Sequence, residues 1–427
     1  MQTTIETINP TKLKLAIVTD AAQLASVKHD VLTLLSRNVR VPGFRAGKAP
    51  QAMVEKQIDP SLLQSEFLEQ AVNRAYVQAL QTEKIRPASQ PQISISKYVP
   101  YDTLEFTAEL EAVGEIKLAD YKKIKLAIKP VKITKAQIDA VLSDLQGRVA
   151  EKQDVDRAVK SGDQATIDFA GVDAKTKEPI QGGDGQAYPL LVGSNSFIPG
   201  FEDNIVGMKP GDDKDFTIAF PADYGVQALQ KRQVIFSVTV KSVQAVKPPK
   251  LDDSFAATVG PFKTVDELTA DIKQQLTFEA EGQNRRNFEN ELIEMIAAKS
   301  TVAVPDVMID DEITRLEEEE KRNLVYRGQT WQEHLDIEGH TEEEHRAKNR
   351  EPAEQRVKAG IVLGEIADIE NINVSLEELE QRILQLKAQY KDQAMQTELD
   401  KPENRRDVTS RILSEKTIQL LTSYASS

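Results

Sequence analysis

Cysteine is absent from the 427 residues, which excludes disulfide staples, thiol nucleophiles and any zinc site built on thiolates. Tryptophan occurs once and aromatic residues make up only 5% of the chain, so a place where several aromatics gather is informative. No stretch approaches the roughly 18 consecutive apolar residues that a membrane-spanning helix needs. Met1 to Lys14 also lacks the basic segment and apolar run of an export signal. The expectation is a soluble, cytoplasmic chain with no membrane partner. Histidine is scarce as well: of His29, His334, His340 and His345, the last three lie in a Glu-rich stretch. A solvated helix face, and no metal, is expected there. No other cofactor is expected.

What the chain does have is charge, unevenly placed. Residues 1–112 hold 12 basic and 12 acidic side chains, residues 113–246 hold 18 of each, and residues 247–427 hold 24 basic against 38 acidic. The whole net charge of −14 therefore sits in the last region. Within this neutral first region, residues 28–56 carry Lys28, Arg37, Arg40, Arg45, Lys48 and Lys56 against only two acids, Asp30 and Glu55. A local basic patch on an acidic protein can steer one end toward a polyanion.

At this length two to four domains are expected, and the patterning divides the chain. Residues 5–20 read as extended, Ala21 to Val39 as helical, and Pro60 opens a longer helix with Leu63, Phe67, Val72, Tyr76 and Leu80 on one face. Gln92–Tyr98 and Leu104–Val113 alternate like strands, giving a small α+β domain over 1–113. Residues 114–150 read as a connector packing with the C-terminal region, with an extended Tyr121–Lys132 and a helix from Thr134. Residues 151–246 carry short strands at Ala165–Phe169, Tyr188–Val192, Asp215–Phe220 and Val234–Val243 around one brief helix, the pattern of a half-barrel. Pro248-Pro249 ends that region. Residues 247–427 turn to a helical period, with capping-box spacing at Thr264-Val265-Asp266-Glu267 and Ser375-Leu376-Glu377-Glu378 and a helix opened by Pro305. The fold class is multidomain α+β, ending in an elongated all-α domain.

The densest cluster of aromatic and aliphatic residues with Gly/Pro punctuation is Phe197-Ile198-Pro199-Gly200-Phe201 through Gly207-Met208-Lys209-Pro210-Gly211. Taken singly these are ordinary core residues. As an ordered set over Ala165–Val243, with Gly193, Gly200, Gly207 and Pro210-Gly211 in step, they resemble the FKBP-type prolyl isomerases. The resemblance implies that Phe169, Tyr188, Phe197, Ile198, Phe201, Tyr224 and Phe236 form the catalytic pocket. Phe197 and Ile198 would meet the substrate through their backbone, and the Tyr224 hydroxyl would hydrogen-bond it. Two positions depart from the family: Ile180-Gln181 stands for a Phe-Asp pair, and Phe201 for a Trp found in many members.

A second motif, Gly43-Phe44-Arg45-Ala46-Gly47-Lys48-Ala49-Pro50, lies in the basic patch. It is one residue too short between its glycines for a phosphate loop, and Ala49 stands where a Ser or Thr is needed, so ATP binding is not expected. An aromatic beside cations suits docking on a mixed protein and RNA surface. With Val41-Pro42 before it, the octapeptide resembles the ribosome-docking signature of the trigger factor family of bacterial chaperones. That resemblance implies docking through Gly43, Phe44, Arg45, Ala46, Gly47 and Lys48, with Ala46 where many members carry a cation.

The order of loop, FKBP-like region and acidic helical region matches that family over essentially the whole chain. It implies an ATP-independent chaperone that docks on the ribosome near the exit tunnel, contacting protein and rRNA. It would hold nascent and unfolded polypeptides, isomerise X-Pro bonds, and form a homodimer off the ribosome. Val302, Val304, Met308, Leu324, Val325, Ile361 and Leu363 are candidate client contacts, each equally readable as helix-packing core. The competing reading is a free-standing isomerase whose helical part only dimerises it. A periplasmic helical chaperone is a third, disfavoured by the start of the chain.

Overall fold

The computed structural model describes all residues except 38–41, 43, 45–49, 223, 225–228, 327 and 427, and the side chain of Gln181. It divides into two compact units, one of Met1–Ala127, Glu289–Arg322 and Arg346–Ser427, the other of Ile128–Phe288 and Asn323–His345.

In the first unit, β1 (Gln2–Asn9), β2 (Lys12–Thr19), β3 (Gln92–Val99) and β4 (Thr103–Glu111) form an antiparallel sheet in the order β1-β2-β4-β3. The single extended segment expected at 5–20 is a hairpin. Asn9 makes it so, because its side-chain oxygen accepts from the amides of Thr11 and Lys12 and folds the chain back. Along β4, Leu104, Phe106, Ala108 and Leu110 are buried and alternate with outward neighbours, as the two-residue period of a strand requires. Against them pack α1 (Ala21–Leu35) and α3 (Pro60–Glu83) through Leu24, Val27, Val31, Phe67 and Ala71. Asp20 caps α1, and Asp59 caps α3 ahead of Pro60 at its first turn. A short helix α2 (Gln51–Gln57) lies between them.

Residues 114–124 then run beside this unit's helical part. Gly114 N donates to Ala303 O at 3.3 Å, Lys117 pairs with Thr301, and Tyr121 Oη donates to the Glu370 carboxylate at 2.6 Å. Burial and that hydrogen bond push the Tyr121 phenol up, while Lys122 holds Glu370 below the ordinary carboxylate range.

The second unit holds β5 (Glu151–Asp154), β6 (Gln164–Asp173), β7 (Pro179–Leu191), β8 (Asp213–Ala219) and β9 (Gln233–Lys247), in the order β5-β9-β6-β7 with β8 also on β9. Register shifts between Ile167 and Phe169 and between Ala170 and Val172 bend β6 against β7. A five-residue helix α5 (Phe201–Ile205) buries Phe201 and Ile205 against Ile167, Leu190, Phe216, Val238 and Val240. This unit also contains α4 (Lys135–Arg148), capped by a Thr134–Gln137 box, and α6 (Asp253–Val259). Ile138 and Leu142 pack with Phe255, Leu268 and Ile272.

The remaining helices are α7 (Val265–Lys299), α8 (Asp306–Tyr326), α9 (Trp331–Glu338), α10 (Glu342–Ile369), α11 (Leu376–Gln389), α12 (Gln393–Glu398) and α13 (Pro402–Ser426). Of the capping boxes read at Thr264 and Ser375, the second forms in full, whereas at Thr264 the Glu267 amide donates to Thr264 Oγ1 but the Glu267 carboxylate accepts from Lys263 N instead. Lys416 and the Ser375 amide together pull the Glu378 carboxyl down to about 2. Between α11 and α13, Ile383 packs on Val408 and Ile412, flanked by a two-pronged Arg382–Glu415 pair. Among the described residues no helix is long and apolar enough to cross a membrane.

Candidate functional site

The bent sheet of the second unit brings aromatic side chains from four elements to one place. β6 supplies Phe169, β7 Tyr188, α5 Phe201 and β9 Phe236, while the turn before α5 adds Phe197 and Ile198. Phe169 meets Tyr188, Phe197 and Phe201 edge-on at 5.9, 5.2 and 6.0 Å between centroids, and Tyr188 meets Phe197 at 5.4 Å. Phe197 stacks on Phe201 at 4.3 Å, and Phe201 stands edge-on to Phe236 at 5.2 Å. Edge-on and stacked pairs are the arrangements the ring quadrupole favours, so the cluster holds its own shape.

Two glycines make room for these rings. A Cβ on Gly185 would lie 2.6 Å from the Phe169 ring, and one on Gly171 would lie 2.8 Å from Phe236. A side chain at either place would displace the ring it meets.

That space is a cleft of about 480 Å³ bordered by Phe169, Tyr188, Phe197, Ile198, Tyr224 and Phe236. Six of the seven expected pocket residues therefore line it together. Phe201, at 0% exposure, lies beneath and supports the rings above it. Tyr224 is steadied by an edge-on contact with Phe220 at 4.6 Å, and its carbonyl accepts from Gln230 Nε2. No described lining residue carries a charge. Such a wall offers neither a nucleophile with its base nor a metal ligand set, only shape, dryness and hydroxyls.

Sequence reasoning missed several contributors. Ile180, noted only as a departure from a family aromatic, is buried and lines the cleft, as do Phe220, Pro221 and Leu229. The signal for Phe220-Pro221 was present in its place just ahead of Tyr224. Glu202 was missed for a better reason, since an acid in a helix first turn is commonplace. Here the carboxylate is 8% exposed and turns back into the loop before its helix. It accepts from the amides of Gly193 (2.6 Å), Asn195 (3.2 Å), Ser196 (2.9 Å) and Phe197 (3.4 Å). Burial pushes the Glu202 carboxyl up, but those amides together outweigh it and leave it below its ordinary value. The result is a clamp that fixes the loop carrying Phe197 and Ile198. Nearby, Asp168 accepts from Ala187 N at 2.7 Å and pairs with Lys241 at 2.8 Å, bracing the backbone just before Tyr188. The amide and then the Lys241 ammonium hold its carboxyl low.

Of the second motif, Gly43, Arg45, Ala46, Gly47 and Lys48 lie outside the described residues. Phe44 is described and 41% exposed. Of the cations counted with it in the sequence, Lys28 pairs with Glu55 at 2.7 Å and lies over the Tyr101 ring. The client-contact candidates divide: Leu324 and Leu363 are buried and Val304 packs against Ile309 and Ile313, whereas Val325 is 74% exposed.

Comparison with known proteins bears on all three regions. Residues 1–145 match the family model of bacterial trigger factor protein, residues 264–423 that of its C-terminus, and residues 155–241 that of FKBP-type peptidyl-prolyl cis-trans isomerase. The trigger factor of Carboxydothermus hydrogenoformans is 30% identical over 100% of this chain and 99% of its own. That of Thermoanaerobacter pseudethanolicus is 36% identical over 82% of this chain and 81% of its own. A solved structure of the trigger factor chaperone covers 99% of each chain at 18% identity, with a TM-score of 0.47. An uncharged aromatic cleft in a bent antiparallel sheet, set between two regions that match trigger factor, leads to one assignment: this chain belongs to the trigger factor family and carries an FKBP-type peptidyl-prolyl isomerase domain.

Proposed function

We propose that the cleft formed by Phe169, Tyr188, Phe197, Ile198, Tyr224 and Phe236 over Phe201 is where X-Pro bonds of client chains turn from one isomer to the other. Rotation is opposed by a resonance barrier of roughly 18–20 kcal/mol. At the twisted geometry that resonance is lost and the amide is less polar, so an uncharged wall that holds the proline ring favours it over the planar forms. The Phe197–Ile198 backbone aligns the substrate strand, and the Tyr224 hydroxyl donates to its carbonyl. The absence of charge among the described lining residues carries this reading.

Around this site the chain is organised as 1–113 for ribosome binding, 114–150 as connector, 151–246 as isomerase and 247–427 as helical client-binding region. Gly43, Phe44, Arg45, Ala46, Gly47 and Lys48 dock on exit-tunnel protein and rRNA in the cytoplasm, with Phe44 as the apolar anchor. Off the ribosome the chain forms a homodimer. Exposed side chains such as Val325 and Tyr326 on α8 hold unfolded segments. Ribosome pelleting tests the docking: wild type should co-sediment, and the variant with Phe44, Arg45 and Lys48 changed to Ala should stay in the supernatant. Equal co-sedimentation would remove the docking assignment.

A further inference from the structure

The segment from Thr330 to His345 carries one pattern twice, Thr330-Trp331-Gln332-Glu333-His334 and Thr341-Glu342-Glu343-Glu344-His345. Both copies form capping boxes. Glu333 N donates to Thr330 Oγ1 at 3.3 Å while Thr330 N donates to the Glu333 carboxylate at 2.8 Å; the same bonds join Glu344 and Thr341 at 3.2 and 2.8 Å. Each box fixes the start of its helix, so the His after the Glu occupies the same position at the head of α9 and of α10. Gly339 ends α9 in the left-handed region at φ 72°, and the amides of Gly339 and His340 both donate to Leu335 O, which turns the chain back.

This geometry brings two imidazoles together. The rings of His334 and His345 lie 6.1 Å apart, with a ring nitrogen of each within 4.8 Å of the other. Trp331 covers both, edge-on to His345 at 4.9 Å and tilted against His334 at 5.6 Å. His345 is only 4% exposed, so the solvated helix face expected from the sequence is not what forms here. One turn beyond His334, Glu338 places Oε1 3.8 Å from His334 Nε2. Between Trp331 and His345 there are six acids, Glu333, Asp336, Glu338, Glu342, Glu343 and Glu344, and no Lys or Arg.

We infer that His334 and His345, with Glu338 as third donor, bind one divalent first-row transition-metal ion that staples α9 to the head of α10. Zinc–ligand bonds of about 2.0–2.2 Å put donor atoms on a tetrahedral ion roughly 3.4 Å apart, so the imidazole nitrogens, within 4.8 Å of each other, and the Glu338 carboxylate, 3.8 Å from His334 Nε2, must draw in on the ion. Two imidazoles and one carboxylate suit zinc, cobalt or nickel, whereas magnesium and calcium take oxygen shells. Water fills the fourth position, and the surrounding acids favour a cation over an anion.

Trp331 is the chain's only tryptophan, so its fluorescence reports on this cluster directly. Zinc chloride titrated into the full, untagged chain near neutral pH should change Trp331 emission saturably. Calorimetry should give one ion per chain, reversed by EDTA and not reproduced by magnesium chloride. Acidifying the solution should weaken binding, because protons compete with the metal ion for the imidazoles. His345 is buried, so the variants of choice are His334→Gln and Glu338→Gln, each expected to weaken binding by about tenfold or more. The same affinity in His334→Gln, or no saturable zinc binding by wild type, would overturn the site. The same affinity in Glu338→Gln would overturn the choice of third donor.

Discussion

On the function proposed above, the isomerase cleft and the C-terminal helices both serve unfolded chains, yet they are built on opposite plans. In the cleft, rings from four elements lock one another edge to face, no described lining residue is charged, and a buried carboxylate clamps the adjoining loop. The helices are laced with ion pairs such as Arg382–Glu415 and Lys416–Glu378, and apolar side chains including Leu376, Leu384, Val325 and Tyr326 stand exposed along them. A site that must recognise one bond geometry needs fixed walls, because catalysis depends on favouring the twisted amide over the planar one. A surface that must hold many sequences needs scattered apolar contacts kept soluble by charge. On that reading the chain contains one rigid grip and one diffuse grip, and substitutions should separate them.

The largest effect is expected at the fully buried Phe201. Phe201→Ala removes the ring on which Phe197 stacks, and should destabilise the isomerase domain by about 3–5 kcal/mol. A thermal melt should show the loss, and prolyl isomerisation should fall with it; an unchanged melt would mean that the ring is not the support described. Next comes Glu202→Gln, which leaves buried amides poorly matched at a cost of about 1–3 kcal/mol. The pH profile adds a sign. The folded pKa of Glu202 lies below its unfolded value, so its contribution is complete above the unfolded value of about 4.3 and is lost as pH falls through the folded one. Stability of the Gln variant should lack that component of the acid fall-off, as denaturant titrations across this range would reveal.

Smaller still is Tyr224→Phe, which removes the hydroxyl proposed to donate to the substrate. About 1 kcal/mol, roughly fivefold in kcat/KM on a proline tetrapeptide, is expected. An unaltered rate would take the hydroxyl out of the mechanism. On the diffuse side, Val325→Ser with Tyr326→Ser should leave stability within about 0.5 kcal/mol while reducing suppression of client aggregation. If aggregation curves for this variant overlay wild type, these exposed side chains are not part of the grip.

How much of this was legible beforehand depends on where each residue's role arises. Phe169, Tyr188, Phe197, Ile198, Tyr224 and Phe236 could be listed beforehand through the resemblance to the FKBP-type isomerases, although taken singly each reads as an ordinary core residue. Glu202 could not, since its role exists only after the Gly193–Phe197 loop folds back over α5 and aims four amides at it. The pattern on β4 was readable because one face of that strand is buried. On β1 nearly every residue is exposed, so burial wrote no alternation into Gln2–Asn9 and the hairpin was not seen. The caps at Thr264 and Ser375 were visible because they are local in sequence. The equally local boxes at Thr330 and Thr341 went unread among the surrounding acids, and with them the pairing of His334 with His345.

The separation of the two grips is tested most directly by Phe197→Ala in the full chain, assayed twice on one client: for the rate of its proline-limited refolding and for suppression of its aggregation. Phe197 contacts Phe169, Tyr188 and Phe201 and lines the cleft, so refolding catalysis should drop by about tenfold or more while aggregation suppression stays at the wild-type level. Unchanged catalysis, or loss of both activities in parallel, would contradict the account.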